Sequence, residues 1–345
     1  MIRCDVVVIG AGVMGAATAR ALAMRGRSVV LLEQFEIGHT RGSSHGSARV
    51  FRLSYPDPRY VQMGREALPL WHALEAETGA RLLHPAPAIN AGAGLGELVE
   101  TFIGARVPHV AMSGAEAARR YAGITEAVGD RVVVEHGAAV LAAERAWRAL
   151  IASGVNHGVA LREHTRAQDI RQDADGVTVA TNRGDVRARV AVVTAGPWVA
   201  EVARNAGIAV PVRTTRETVT YHDDGGVEVP ILIDRRAPMT YALPVPGGGI
   251  KAGEHFAGHE ASPDAVTTPD ERSARQVAAW VGARFLNARA KPRAVETCFY
   301  TNTADEHFVF EQHARIVVGS PCSGHGFKFA PWIGARLAIL AQAVS

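Results

Sequence analysis

The sequence predicts two interleaved architectures: an α/β, Rossmann-like domain that binds a dinucleotide, and an α+β substrate domain built on an antiparallel sheet. Three observations carry this expectation. Residues 4–33 read as strand, glycine turn, helix and strand. Short β-type runs recur around 167–171, 177–181 and 190–194, separated by turns rich in Asp, Asn and Gly. No linker, repeat or low-complexity tract divides the chain into two successive units.

Taken in order, Asp5-Val6-Val7-Val8-Ile9 is a continuous apolar run, as a parallel strand buried on both faces requires. A glycine turn follows at 10–15, then a helix over 16–25 closed by Gly26, then a second strand over 28–33. This is one βαβ unit in about thirty residues. Residues 79–135 show no clean period. A helix is expected over 142–153 and a strand from Val159. Residues 205–292 read as strand-rich with a turn cluster at 244–249, and a last helix is expected over 332–343. Residues 1–80, 136–205 and 293–345 are assigned to the nucleotide-binding domain, and 81–135 and 206–292 to the substrate domain.

The 345 residues are 48% hydrophobic and 21% charged, close to an ordinary globular composition, with a net charge of 37 − 34 = +3. Interspersed charge of that size argues against a nucleic-acid binder. Three cysteines, Cys4, Cys298 and Cys322, are too few and too odd for a disulfide framework and suit a reducing compartment. No apolar run reaches the roughly 20 unbroken residues of a membrane span. The start runs straight into a strand, and residues 342–345 carry no targeting signal. A cytoplasmic, monomeric enzyme with no metal site is expected.

In Gly10-x-Gly12-x-x-Gly15, the first glycine makes the tight turn, the second admits a pyrophosphate to the backbone, and the third lets helix and strand pack closely. The helix start offers N–H groups and positive potential to the phosphates. Glu33, 18 residues past Gly15, sits at the end of the second strand, where it can bind ribose hydroxyls and repel a 2′-phosphate. NADP is disfavoured; NAD and FAD remain open on this motif.

Five further segments bear on that choice. Residues 42–52 are rich in small side chains, including Ser43, Ser44 and His45, and carry Arg49 and Arg52. They read either as a solvated basic loop or as a close approach to a flat ring with fixed positive charge beside it. The strand at 190–194 runs into Ala195-Gly196-Pro197-Trp198. Ser323-Gly324-His325-Gly326-Phe327-Lys328-Phe329 is a second glycine-spaced loop. Between these lie Lys251-Ala252-Gly253-Glu254-His255 and the Cys298-Phe299-Tyr300-Thr301 run.

Together these segments resemble monomeric sarcosine oxidase and N-methyltryptophan oxidase, within the D-amino-acid-oxidase-like flavoproteins, over nearly the whole chain. The resemblance implies a Rossmann-like FAD-binding domain, with FAD joined through a thioether from Cys298 to the flavin 8α-methyl. It implies that Lys251 assists oxygen reduction, since a fixed ammonium stabilises superoxide as it forms. His255 matches an active-site histidine, a base or a shaping group. Arg49 stands beside the flavin. Arg52 and Lys328 match the pair that holds a substrate carboxylate, and Tyr241 and Tyr300 match aromatic positions near it. Gly324, His325 and Gly326 match the loop along the flavin's pyrimidine edge. Cys322 receives no role, and Cys4 reads as structural.

The implied reaction is oxidation of an N-methyl or N-alkyl amino acid to an imine, with O2 reduced to H2O2. Three alternatives remain: a flavin oxidase or dehydrogenase of a cyclic imino acid, a redox-silent flavin protein, and a plain NAD dehydrogenase. The chain departs from the family in residues 121–135 and in ending at Ser345, where a further tail is usual.

Overall fold

In the computed structural model, residues 1–266 and 268–343 are described. The first part of the chain forms β1 (Ile2–Ile9), α1 (Val13–Ala23), β2 (Val29–Leu32), β3 (Ala48–Phe51), α2 (Pro58–Thr78), β4 (Leu83–Pro85), β5 (Ala88–Ala91) and α3 (Leu95–Gly104). Then come β6 (His109–Ser113), α4 (Gly114–Arg120), β7 (Arg131–Glu135), β8 (Ala139–Ala142), α5 (Ala143–Asn156), β9 (Ala160–Arg162), β10 (Ala167–Asp173), β11 (Gly176–Thr181), β12 (Val186–Val193) and α6 (Val199–Arg204). The remainder is β13 (Arg213–His222), β14 (Ile231–Asp234), β15 (Thr240–Pro244), β16 (Ile250–Glu254), β17 (His259–Glu260), α7 (Glu271–Arg284), β18 (Ala294–Asn302), β19 (Val309–His313), β20 (Ile316–Ser320) and α8 (Ala330–Gln342).

The first sheet runs β10-β11-β12-β1-β2-β9, with β20 on β12 and β19 on β20. Its centre is parallel: β1 pairs with β2 and β12, and β12 with β20. Side chains alternate between two cores. Val6 and Val8 join α1, α5 and α8 on one face, while Val7 and Ile9 join β11 and α6 on the other. Burial on both faces is why β1 reads as an unbroken apolar run.

The second sheet runs β17-β13-β16-β15-β14-β5-β7-β6 with β18 on β13, and is antiparallel except for β14 with β5. Helix α7 packs against it through Val277, Val281 and Phe285. A small third sheet, β3-β8-β4, lies between the two. No helix among the described residues is long and apolar enough to cross a membrane.

Several local expectations change. Four of the eleven residues of the presumed loop at 42–52 form strand β3, held by β8. The 21-residue helix α2 was not expected; its Asp57 cap and Pro58 start it, but its polar composition hides the apolar stripe. Residues 79–135 show no period because six short helices and strands share them. The strand-rich stretch 205–292 contains α7, and α8 begins at Ala330 rather than Trp332. Segment 293–345 is divided between the sheets: β18 pairs along β13 of the second, while β19 and β20 extend the first. Val344 and Ser345, part of the C-terminus read for targeting, lie outside the described residues.

Candidate active site

One cleft is lined by residues of both large sheets, with Gly10, Glu33 and Trp147 toward one end and Lys251, Cys298 and Lys328 toward the other. At the first end the backbone is the builder. A Cβ on Gly15 would lie 1.8 Å from Gly10 O, so helix α1 can start this close to β1 only on a glycine. A Cβ on Gly12 would meet Ser44 Oγ at 3.1 Å, and that hydroxyl already accepts the Val13 N–H at 2.9 Å. Glu33 is buried and accepts N–H bonds from Ala11 and Phe35, both at 3.0 Å. Burial raises its pKa above the usual carboxylate range, against the pull of those donors.

Arg49 on β3 folds back on its own loop, donating to the carbonyls of Ser43, His45 and Ala48 at 2.8–2.9 Å. This cation therefore fixes the backbone of 43–48, and Ser43 Oγ ties the same loop to Phe299 O at 2.7 Å. His45 is buried beside it, with its pKa lowered to about 3 by burial and by Arg49 and Lys251. Gly196 and Trp198 line the cleft between these ends; the Trp198 indole donates to Asp264 at 2.8 Å.

At the far end the side chains come from widely separated segments. Lys251 on β16 is 4% exposed and donates to Ala48 O at 3.2 Å. Burial, and then Arg49, bring its pKa down to about 7. Cys298 on β18 lines the same wall; burial raises its thiol, opposed by Arg49 and Lys251. Cys322 lines it too, accepting from Thr301 N at 3.3 Å. His255 and Tyr300 touch, Nδ1 to Oη 3.4 Å, and a Cβ on Gly324 would collide with both. Burial, then Arg52 and Lys328, lower His255 to about 3. Tyr241, on β15, completes this wall.

Arg52 and Lys328 meet on one residue. The Arg52 guanidinium lies 4.3 Å from the Tyr55 ring centre, and Lys328 Nζ donates to Tyr55 Oη at 2.7 Å and to His325 O at 2.8 Å. Lys328 is 5% exposed and held well below the ordinary lysine value by burial and Arg52. Arg52 and Arg235 both donate to the Ser54 carbonyl, and the buried Glu135 accepts the Leu53 N–H at 2.7 Å. Tyr55, Glu135 and Arg235 were missed in the sequence. A signal was available for the two cations: of 37 basic residues only three are lysines, Lys251, Lys291 and Lys328, and two of those are buried in this cleft.

The cleft suits a flavin dinucleotide. Its glycine cradle is open where a Cβ would close it, and several buried polar atoms along it have no protein partner: His45 Nε2, Thr301 Oγ1, Ser320 Oγ and His325 Nδ1. Buried polar atoms normally find partners, so these fit a polar ligand. A profile of FAD dependent oxidoreductases matches residues 5–340. The chain belongs to the FAD dependent oxidoreductase family.

Among curated proteins, this oxidoreductase is 33% identical to "Peroxisomal sarcosine oxidase" of Mus musculus, covering 96% of this chain and 90% of that one. It is 29% identical to "Monomeric sarcosine oxidase" of Bacillus sp. strain B-0618, covering 98% and 92%. It is 27% identical to "N-methyl-L-tryptophan oxidase" of Yersinia pestis, covering 98% and 95%. Among solved structures, NikD, described as an unusual amino acid oxidase essential for nikkomycin biosynthesis, superposes with a TM-score of 0.90 at 23% identity, covering 100% and 95%. L-proline dehydrogenase from P. horikoshii superposes at 0.88 with 20% identity, covering 100% and 95%. These two likenesses are of fold.

Proposed function

We propose that this oxidoreductase converts a secondary amino acid, N-methyl or N-alkyl, into its imine by oxidising the C–N bond, with O2 as final acceptor and H2O2 as product. The observation that carries the reading is the meeting of Arg52 and Lys328 on Tyr55 at the end of a cleft whose other wall holds Lys251. Lys328 is buried and Arg52 half-buried; the buried Glu135 acts on both charges, but neither cation forms an ion pair among the described residues, and two converging cations suit an α-carboxylate. The similarity to sarcosine and N-methyltryptophan oxidases supports the N-alkyl class.

Bound FAD supplies the acceptor for two electrons and passes them to O2. On this reading Gly10, Gly12, Gly15, Ser43, Ser44 and Glu33 hold the adenosine and pyrophosphate. Arg49, His45, Gly196, Trp198 and the Gly324-His325-Gly326 loop bound the ring system, with Cys298 Sγ as the point of covalent attachment. Tyr241, Tyr300 and His255 wall the substrate amine. A histidine held to about 3 is a weak base at neutral pH, so His255 shapes the pocket rather than taking the proton. The reading divides the chain into an FAD-binding part around the first sheet and a substrate part around the second, and takes the enzyme to be a cytoplasmic monomer.

Peroxide release should be measured across sarcosine, other N-methyl amino acids, pipecolate, proline and D-amino acids. Turnover confined to the N-alkyl acids supports the proposal; turnover of cyclic acids alone, or reduction without peroxide, overturns it. Yellow colour that stays with acid-precipitated protein and vanishes in Cys298→Ser tests the attachment, and colour retained by that variant assigns it elsewhere.

A further inference from the structure

Lys251 lines the cleft yet is only 4% exposed, and on the oxidase reading its ammonium stands where O2 is reduced. Reduction of O2 to H2O2 takes two electrons and two protons. Bound FAD would supply the two electrons and one proton, and Lys251 is placed to supply the second proton. A buried ammonium can give that proton once, and then needs a route to solvent for its replacement.

Three adjacent strands of the second sheet provide a row of side chains on one face. Tyr221 on β13 stands directly opposite Lys251 on β16. On the other side of β13, Glu296 of β18 faces Val219, two residues from Tyr221 and therefore on the same face. The Tyr221 hydroxyl donates to Glu296 Oε2 at 2.9 Å. Tyr221 is 5% exposed, whereas Glu296 is exposed at the surface. The gap between Tyr221 and Lys251 is polar and narrow. Both groups border the space beside Gly46, where an ideal Cβ would lie 3.5 Å from Tyr221 Oη, 3.6 Å from Lys251 Nζ and 3.4 Å from Arg49 Nη1. Lys251 Nζ is 5.8 Å from the Tyr221 ring centre. One solvent molecule in this gap can bridge the two groups.

We infer that Glu296, Tyr221 and a bridging solvent molecule form the route by which a proton travels from bulk water to Lys251 Nζ. This rests on the oxidase reading. The transfer is neutral overall: Glu296 passes its proton to the Tyr221 oxygen as the Tyr221 proton moves to the solvent molecule and a solvent proton to Nζ; Glu296 then takes a new proton from water. The hydroxyl never has to ionise alone, which matters because burial pushes its pKa up to about 12. Lys251, brought to about 7, can lose and regain a proton at neutral pH. The other groups facing Lys251 do not offer this route. Arg49 on β3 spends its N–H groups on the carbonyls of Ser43, His45 and Ala48, the half-buried Cys298 on β18 has its thiol raised, and buried His45 is lowered to about 3.

The test uses FAD-loaded enzyme, reduced anaerobically with substrate and then mixed with oxygenated buffer. In Tyr221→Phe and Glu296→Gln, the reductive rate should be unchanged and the reoxidation rate should fall about tenfold, with a larger solvent deuterium effect on that step alone. Glu296→Gln is a surface change and keeps the test available if Tyr221→Phe folds poorly. Lysine labelled with carbon-13 at Cε gives a second readout without turnover, because the protein has three lysines. The Lys251 titration midpoint should drop in Glu296→Gln through loss of the carboxylate. Reoxidation unchanged in both variants overturns the route. Lys251→Met separates the two readings: if it slows reoxidation while the relay variants do not, only the relay fails, and if it does not, the oxidase reading fails.

Discussion

The two ends of the cleft are made in opposite ways. At the Gly10 end one contiguous unit, β1-α1-β2 with Glu33 directly after it, supplies most of the site, joined by Ser44 and Trp147. Its polar groups are largely satisfied within the protein: Glu33 accepts two N–H bonds and Ser44 caps Val13. At the Lys251 end the site is assembled from β3, β15, β16, β18 and the loop after β20. It leaves His45, Thr301 and His325 atoms unpartnered and holds two lysines out of water. A site built by local backbone geometry can be read from spacing and is stable without its ligand. A site built by convergence cannot be read that way, and its buried cations cost stability that the substrate and cofactor then offset.

The largest effect expected of any single change falls on the backbone-made end. Gly15→Ala puts a Cβ within 1.8 Å of the Gly10 carbonyl, with no side chain free to yield, so α1 must separate from β1. A loss of about 3 kcal/mol or more is expected, read as a drop in melting temperature together with loss of bound flavin. Gly12→Ala meets only the Ser44 hydroxyl at 3.1 Å and should cost much less. Equal tolerance of both would erase the contrast between the ends.

Arg52→Met and Lys328→Met come next. If both hold the substrate carboxylate as proposed, removing one costs about 2–5 kcal/mol, so kcat/KM should fall at least about thirtyfold in each while bound flavin is kept. Their effects should not add, because both cations converge on Tyr55. Additive losses would show that the two bind different parts of the substrate.

What could be read in advance follows the same division. β1, the glycine turn and Glu33 were legible because each residue's task is set by neighbours within the same unit. Arg52 and Lys328 were singled out only because whole segments resemble a known family; nothing in the spacing of residues 276 apart brings them together. Tyr55, which joins them, lies three residues after Arg52 and carries no mark of its own in sequence. Helix α2 was missed for a related reason, since its exposed faces are crowded with charge and its buried residues, Tyr60, Val61, Gly64, Ala67, Trp71 and Leu74, are mixed in type.

The claim that the convergent end is under strain of charge has a test in the apo-protein. The Lys251 pKa is lowered from 10.5 to about 7 by burial, so between those values the unfolded chain binds the proton and the folded one does not. Stability must then rise with pH from about 7 to about 10.5, and the penalty is fully present below 7. Lys251→Met should therefore stabilise the apo-protein at neutral pH by on the order of a few kcal/mol, and flatten that part of the urea-unfolding profile. Unchanged stability and slope would mean that Lys251 is better solvated than its 4% exposure implies.

The smallest effect tests the other end by the same logic. Glu33 is also buried, and its raised pKa means burial outweighs its hydrogen bonds as far as charge goes, but the Ala11 and Phe35 N–H groups each need one of its two oxygens as acceptor. Glu33→Gln keeps the shape, retains one acceptor oxygen and points an NH2 at one of the two donors. Losing one charge-assisted bond costs about 1.5 kcal/mol, so FAD affinity should weaken about tenfold with kcat unchanged, and the apo-protein should become less stable rather than more. The sign is the decisive feature. Neutralising a buried charge at the Lys251 end should stabilise the empty protein and at the Gly10 end destabilise it. A stabilised Glu33→Gln would place both ends in the same class, made for the ligand at the expense of the fold.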